Sequence, residues 1–254
     1  RELSKKFMIK VFADYIKGHK EFDEQASFSI ERVGGIKLLR KYRKAQLIDE
    51  FIKDNKVEGI IADHWKSLEL VKSSKKKYCL IHSKEINHPK ASSLNKRILN
   101  VLNNVERVIA NSRFTKNLAI NIGVNENKVI VINPGVEPVK ELDKKTVDKV
   151  ESLLKVKTPR LITVSRFDKR KNHEKVIMAV RNLKEIYPNI TYTCIGYGDE
   201  EEKLKKLVIE LKLEDQVTFL KDVPSNLKNA LVVKSHIFVM PSIIYKKSVE
   251  GFGI

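Results

Sequence analysis

Short apolar runs alternate with amphipathic stretches along most of the chain. β-branched and aromatic runs predict strands over 7–13, 58–63, 77–81, 107–110 and 128–132, then again over 160–165, 190–196, 216–220 and 236–240. Between them, apolar residues recur every three or four positions. After Gly34-Gly35 the set Leu38, Leu39, Tyr42, Leu47, Ile48, Phe51 and Ile52 predicts one long helix. Further helices are predicted over 93–103, from a Ser112 cap to Gly123, over 173–187 with Val176, Ile177, Val180, Leu183 and Ile186, and over 199–212 and 224–234. Residues 1–6 suit the tail of a helix, 14–34 are polar and irregular, and Asn133-Pro134-Gly135 is a turn. Strand–helix alternation of this kind implies parallel βαβ units, hence an α/β fold with doubly wound sheets. A charged stretch with Pro138 and Pro159 near its edges predicts a linker over 138–159. It separates a first Rossmann-like domain, 1–137, from a second, 160–254. Ligands of open sheets bind beyond the carboxyl ends of the strands, so the chemistry is expected in a cleft between facing domains.

Composition narrows the classes. A chain of 254 residues can bury one large core or two ordinary ones, and no apolar run is long enough to cross a bilayer. Cys79 and Cys194 sit inside strand-like runs, as reduced core residues of a cytoplasmic protein do, which argues against a disulfide framework or a metal site. No secretory signal is visible. The net charge of +18 suits nucleic acid, an anionic membrane or a polyanionic substrate. Its lysines, however, are scattered through helices beside glutamates, in a chain also rich in Asn and Ile. A solvated surface explains that distribution, and no nucleic-acid partner is expected.

Three stretches of the second half carry candidate chemistry. The run 161–174 passes from a strand through Arg166, Lys169, Arg170 and Lys171 directly into a helix. Free N–H groups and partial positive charge at a helix start, reinforced by full charges, make an anion site. A solvated basic loop is the plainer alternative. Gly196-Tyr197-Gly198-Asp199 follows the next strand, but the acids Asp199, Glu200, Glu201 and Glu202 would repel a phosphate there. Those glycines suit close approach of a base or ribose, or simply a tight turn. Finally, Pro241-Ser242 precedes Glu250-Gly251-Phe252-Gly253, where a carboxylate and backbone N–H groups can meet sugar hydroxyls.

In that order, within one domain, the three stretches resemble the donor-binding half of the GT-B-fold, retaining glycosyltransferases of family 4. The first half agrees, through Glu106-Arg107-Val108-Ile109-Ala110-Asn111-Ser112 with Lys116 and Lys128-Val129-Ile130-Val131-Ile132-Asn133-Pro134-Gly135-Val136. The resemblance implies that Arg166 and Lys171 hold the leaving diphosphate, and that Glu250 with Gly251, Phe252 and Gly253 binds the donor sugar. Gly196, Gly198, Lys221 and Val223 fall on the nucleotide side. His82, at a strand end, matches the family's histidine near the transferred sugar, and His64-Trp65 is a weaker candidate for the acceptor side. The family's second signature Glu would fall eight positions after Glu250, past the last residue. Its first strand and Gly-rich loop have no counterpart before Arg1. The chain is therefore expected to be a fragment with little transferase activity of its own.

The implied reaction moves a hexose, with retention, from a nucleotide-diphosphate sugar to a glycan or lipid-linked acceptor of envelope polysaccharide or lipopolysaccharide synthesis. No Asp-x-Asp motif is evident, so cations are expected to replace a metal, and no cofactor is expected. The loop before Glu250 is similar to that of mannosyltransferases using GDP-mannose, notably those acting on phosphatidylinositol mannosides; UDP-sugar users share most of the motif. Lys37, Arg40, Lys41, Arg43 and Lys44 on one helix would suit peripheral contact with anionic lipid at the inner face of the plasma membrane. The competing classes are a GT-B sugar-nucleotide epimerase, disfavoured by the presence of Glu-Gly-Phe-Gly, and a non-catalytic polyanion-binding protein.

Overall fold

The computed structural model describes residues 2–136, 138, 141–154, 157–245 and 249–253. The chain divides into two compact units, Arg1–Pro134 and Gly135–Ile254.

In the first unit, β1 (Lys10–Asp14) pairs in parallel with β2 (Ser29–Val33), and α2 (Lys37–Asp54) contacts both. A parallel sheet follows in the order β3 (Gly59–Ala62), β4 (Lys76–Ile81), β5 (Arg107–Ala110), β6 (Val129–Val131). Its crossover helices start and stop where the sequence says they should. Ser92 and Ser112 side chains accept from Asn95 N and Thr115 N, each at 3.1 Å, at the starts of α3 (Ser93–Leu102) and α4 (Arg113–Ile122). Each such cap is worth about 1 kcal/mol. Gly123 ends α4 in the left-handed region, φ +111°. The helices bury Ile98, Leu102, Ala119 and Ile122 against Cys79, Ile81, Val108 and Ala110 of the strands.

The stretch expected to be irregular, 14–34, holds α1 (Lys20–Glu24) and β2. Charge hid that strand. Glu31 pairs with Lys10 at 3.0 Å and Arg32 with Asp23 at 2.6 Å, so the polar residues of β2 are bound in ion pairs. The first strand also starts later than its apolar run suggested, since Phe7 and Met8 are exposed. Residues Leu3–Lys5 form a 3-10 turn.

In the second unit the order is β10 (Ile237–Phe238), β7 (Arg160–Val164), β8 (Thr191–Ile195), β9 (Val217–Leu220), all parallel. The chain runs outward from β7 through β8 to β9 and then returns to the other side of β7. A topological switch point therefore lies between the carboxyl ends of β7 and β10. Alternate residues of the buried strands face opposite layers. Leu161, Tyr192, Cys194 and Val217 pack with Val176, Ile177 and Val180 of α6 (His173–Leu183) and Leu204 and Val208 of α7 (Glu201–Glu210). Ile162 and Ile195 face the other way, onto Ala230 and Leu231 of α8 (Ser225–Lys234). Cys79 and Cys194 are both free thiols in the cores.

The expected linker is the main correction. Much of it is a helix, α5 (Lys144–Leu154), and it belongs to the second unit. Asp143 accepts from Thr146 N at 2.8 Å and from its hydroxyl at 2.6 Å, which caps the start. Thr146, Val150 and Leu154, four positions apart, form a buried stripe, and Val150 and Leu154 pack with Ala230 and Leu231. Burying such side chains is worth roughly 1.5–3 kcal/mol each, enough to dock a helix whose other positions are mostly charged. Of the linker residues, Val139, Lys140, Lys155 and Val156 lie outside the described residues, as does Glu137 at the end of the first predicted domain.

Candidate functional site

The loop that leaves β7 is built to point cations at the switch point. Asp168 Oδ1 accepts from Lys171 N at 3.1 Å and closes a 3-10 turn over Lys169–Lys171. Asn172 follows with φ +56°, a left-handed conformation that Asn tolerates better than most residues, and α6 begins at His173. The loop is tied to the segment after β10: Ile243 N donates to Arg170 O at 2.8 Å, and Asn172 Nδ2 to Pro241 O at 3.3 Å. That segment leads to Glu250.

One carboxylate oxygen receives three donors there. Glu250 Oε2 accepts from Arg170 Nη1, from Lys171 Nζ at 2.5 Å and from Ser242 Oγ at 3.0 Å. Arg170 and Lys171 side chains are each only 11% exposed and that of Glu250 26%. Burial pushes the Glu250 carboxyl upward, but hydrogen bonds from Lys171 and then Arg170 more than offset it, leaving it below the usual carboxylate range. The pair of cations thus carries one resident negative charge, at the place where an open α/β sheet binds its ligand.

This differs from the expected pairing of Arg166 with Lys171. Arg166 lies on the rim, 72% exposed, with Nη2 3.3 Å from Asp168 Oδ2. Arg170 stands beside Lys171 instead. The basic run made Arg170 visible in the sequence, but nothing there says which cation turns inward. That is settled by the 3-10 turn and by Asn172.

Gly196 and Gly198 have a reason of their own. A Cβ on Gly196 would lie 2.0 Å from Ser165 O, and one on Gly198 2.4 Å from Phe167 O. The two loops meet backbone to backbone, with Phe167 N donating to Tyr197 O at 2.9 Å and Glu200 N to Phe167 O at 3.0 Å. The glycines therefore let loop approach loop; the sequence offered close approach of a base or ribose, or a tight turn. Lys221 Nζ lies 5.8 Å from the centre of the Tyr197 ring. Val223 packs its side chain into the layer of α5 and α8. Gly251 is buried, Phe252 partly so, and Gly253 exposed. A groove of about 260 Å³ opens beside the same loop, lined in part by Asp168, Lys169, Glu200, Lys203 and Tyr245. Neither Lys171 nor Glu250 lines it, and its Lys203 is already paired with Glu174 at 2.6 Å.

Behind the loop runs a chain of hydrogen bonds that sequence gave no sign of. Thr163 Oγ1 donates to Val239 O at 2.7 Å, and Tyr192 donates to Thr163 Oγ1 at 2.8 Å. Tyr192 has no second proton, so His173 Nδ1, at 2.9 Å, donates to it. The neutral ring then accepts from Ser165 Oγ at Nε2, 3.0 Å away. Burial holds His173 down to about 4, which keeps the ring neutral at neutral pH. The chain fixes both ends of the cation-bearing loop, at Ser165 and at His173.

In the first unit, His82 follows β4 and its Nε2 lies 2.8 Å from Asp63 Oδ1, just past β3. Both groups are exposed at the carboxyl ends of adjacent strands. Trp65 is no acceptor-side residue: it is 1% exposed, part of the core, and its Nε1 donates to Glu85 O at 3.1 Å. Among the described residues no cluster of three or more His, Cys, Asp or Glu is placed to hold a metal ion, and no helix is long and apolar enough to cross a membrane.

Residues 10–140 match the family described as Glycosyltransferase Family 4, and residues 144–254 the family described as Glycosyl transferases group 1. The chain is 30% identical over 138 residues to the amylovoran biosynthesis glycosyltransferase AmsK of Erwinia amylovora, covering 54% of this chain and 32% of that one. It is 32% identical over 83 residues to the putative colanic acid biosynthesis glycosyltransferase WcaL of Escherichia coli (strain K12), covering 33% and 20%. The matched stretch spans about a third or less of these curated relatives. Among solved structures, Anabaena Alr3699/HepE in complex with UDP superposes with a TM-score of 0.73 at 18% identity, covering 92% of this chain and 74% of that one. Sucrose-phosphate synthase (tll1590) from Thermosynechococcus elongatus gives 0.72 at 18%, covering 100% and 69%. At such identity the likeness is one of fold, and it agrees with the GT-B class of two Rossmann-like α/β domains that the sequence predicts.

The His173 chain has a measurable consequence. A ring with an ordinary value of 6.5 held near 4 binds fewer protons folded than unfolded between those values. It therefore contributes stability that is complete above about pH 6.5 and lost as pH falls towards 4. The loss is on the order of 3 kcal/mol. Urea unfolding of wild type and His173→Gln at pH 7 and pH 4 will show wild type losing more stability by about that amount; parallel losses would contradict it.

Proposed function

The chain belongs to glycosyltransferase family 4, and from that premise we propose that it serves retaining transfer of a hexose from a nucleotide-diphosphate sugar to a glycan or lipid-linked acceptor. Its place in envelope polysaccharide synthesis is supported by the relatives named for amylovoran and colanic acid biosynthesis. The observation that carries the reading is the part-buried pair Arg170 and Lys171 converging on one anionic oxygen at the β7–β10 switch point. Breaking the sugar–phosphate bond leaves negative charge on a diphosphate, and donors already fixed in place stabilise it without reorganising. In this reading Lys171 and Arg170 take that charge without a metal, and Arg166 flanks them from the rim. Glu250, with the backbone of Gly251, Phe252 and Gly253, receives the sugar hydroxyls. Gly196, Gly198, Lys221 and Val223 border the nucleotide, and His82 takes the role near the transferred sugar that the family resemblance implies. A UDP-hexose donor is favoured by the Alr3699/HepE structures with UDP and UDP-glucose; GDP-mannose is the competing donor.

Contact with an anionic membrane is a second element of the proposal. The start of α2 exposes Ile36, Leu38, Leu39 and Tyr42 among Lys37 and Lys41. Arg40, Arg43 and Lys44, expected to share in binding lipid, are instead engaged with Gly35 O, Gly34 O and Asp14. Apolar side chains beside lysines, with Lys41 Nζ 4.9 Å from the centre of the Tyr42 ring, suit the boundary between headgroups and acyl chains, at the inner leaflet if the chain acts in the cytoplasm.

Calorimetry with UDP and GDP tests the first proposal. Arg170→Ala with Lys171→Ala is expected to weaken nucleotide binding at least about thirtyfold, and Arg166→Ala alone less than about fivefold. Undiminished binding by the double variant would contradict the reading. For the membrane, co-sedimentation with phosphatidylglycerol vesicles should exceed that with phosphatidylcholine, fall with salt, and drop in Leu38→Glu/Leu39→Glu. Equal binding to both vesicles would count against it.

A further inference from the structure

Glu250 does more in this structure than wait for a sugar. Its Oε2 sits between Arg170 and Lys171 with Ser242 as a third donor, which is the coordination a phosphate oxygen would take. Among the described residues, Lys171 Nζ has besides Glu250 the weak acceptor Met240 Sδ, at 3.8 Å, and both cationic side chains are nearly buried. Two anions cannot share these donors at close range, since like charges in a part-buried site repel strongly.

We propose that Glu250 is a resident counter-anion that a diphosphate must displace, and that this exchange makes the site prefer an intact nucleotide sugar to the nucleoside diphosphate it leaves behind. The inference rests on the diphosphate reading of the same site. A displaced carboxylate needs new donors. The hydroxyls of a bound hexose supply them, so an intact donor compensates for the broken ion pairs. A nucleoside diphosphate carries no hexose on its terminal phosphate and leaves the carboxylate without partners near its own charge. Its binding is then opposed by the full strength of the Glu250 grip, which favours departure of the product after transfer.

Glu250→Gln keeps the shape and removes the competing charge. Titration calorimetry of the full chain should show wild type binding UDP-glucose at least as tightly as UDP. In Glu250→Gln, UDP should bind about tenfold tighter than in wild type, and tighter than UDP-glucose. Glu174→Gln removes an acid from the first turn of α6, paired with Lys203, without touching the Glu250 cluster. It should change UDP affinity less than about twofold, which separates displacement from a general change of field. A UDP affinity in Glu250→Gln within twofold of wild type, or an unchanged order of the two ligands, overturns the inference. If neither nucleotide binds either protein, inorganic pyrophosphate decides. Tenfold tighter binding to Glu250→Gln keeps the displacement while removing the nucleotide-sugar reading, and equal or absent binding overturns the displacement as well.

Discussion

The second unit converges on the ion pairs between Glu250 and the cations Arg170 and Lys171. They join the end of β7 to the segment that follows β10, across the point where the sheet changes direction. Removing two positive side chains from water is costly, and leaving them there unpaired would cost several kcal/mol. The fold accepts that cost because the carboxylate and Ser242 satisfy the donors. The same donors then become available to any stronger anion. Stability of the site and capacity for a ligand are two uses of one set of groups.

Supporting structure keeps the donors in place. The Asp168-capped turn, left-handed Asn172 and the bond from Ile243 N to Arg170 O aim the cations. Beneath them, the chain from Ser165 through His173, Tyr192 and Thr163 to Val239 O links β7, α6, β8 and the end of β10. A histidine held neutral by burial adds no charge next to the cations. The glycines 196 and 198 let the neighbouring loop press on the backbone of 165–167, so that a second wall backs the first.

Much of the fold was legible because its strands are runs of β-branched residues and its helices carry plain caps, as at Ser112 and Gly123. What escaped was hidden by charge. The ion-paired Glu31 and Arg32 made β2 look like loop, and the lysines around Val150 made α5 look like linker. Lys171 and Glu250 were marked by the family resemblance. The inward turn of Arg170 was not, since adjacent cations in one loop are told apart only by backbone geometry. The hydrogen-bond chain was beyond reach for another reason: Thr163 and Val239 are 76 positions apart, and no local pattern records their meeting.

A crystal structure of the chain grown with UDP would show whether a diphosphate takes the place of Glu250 on the two cations. Diphosphate oxygens are expected about 3 Å from Lys171 Nζ and the Arg170 guanidinium, with the Glu250 carboxylate withdrawn from both. Phosphates bound elsewhere, with Glu250 still gripping the two cations, would contradict it.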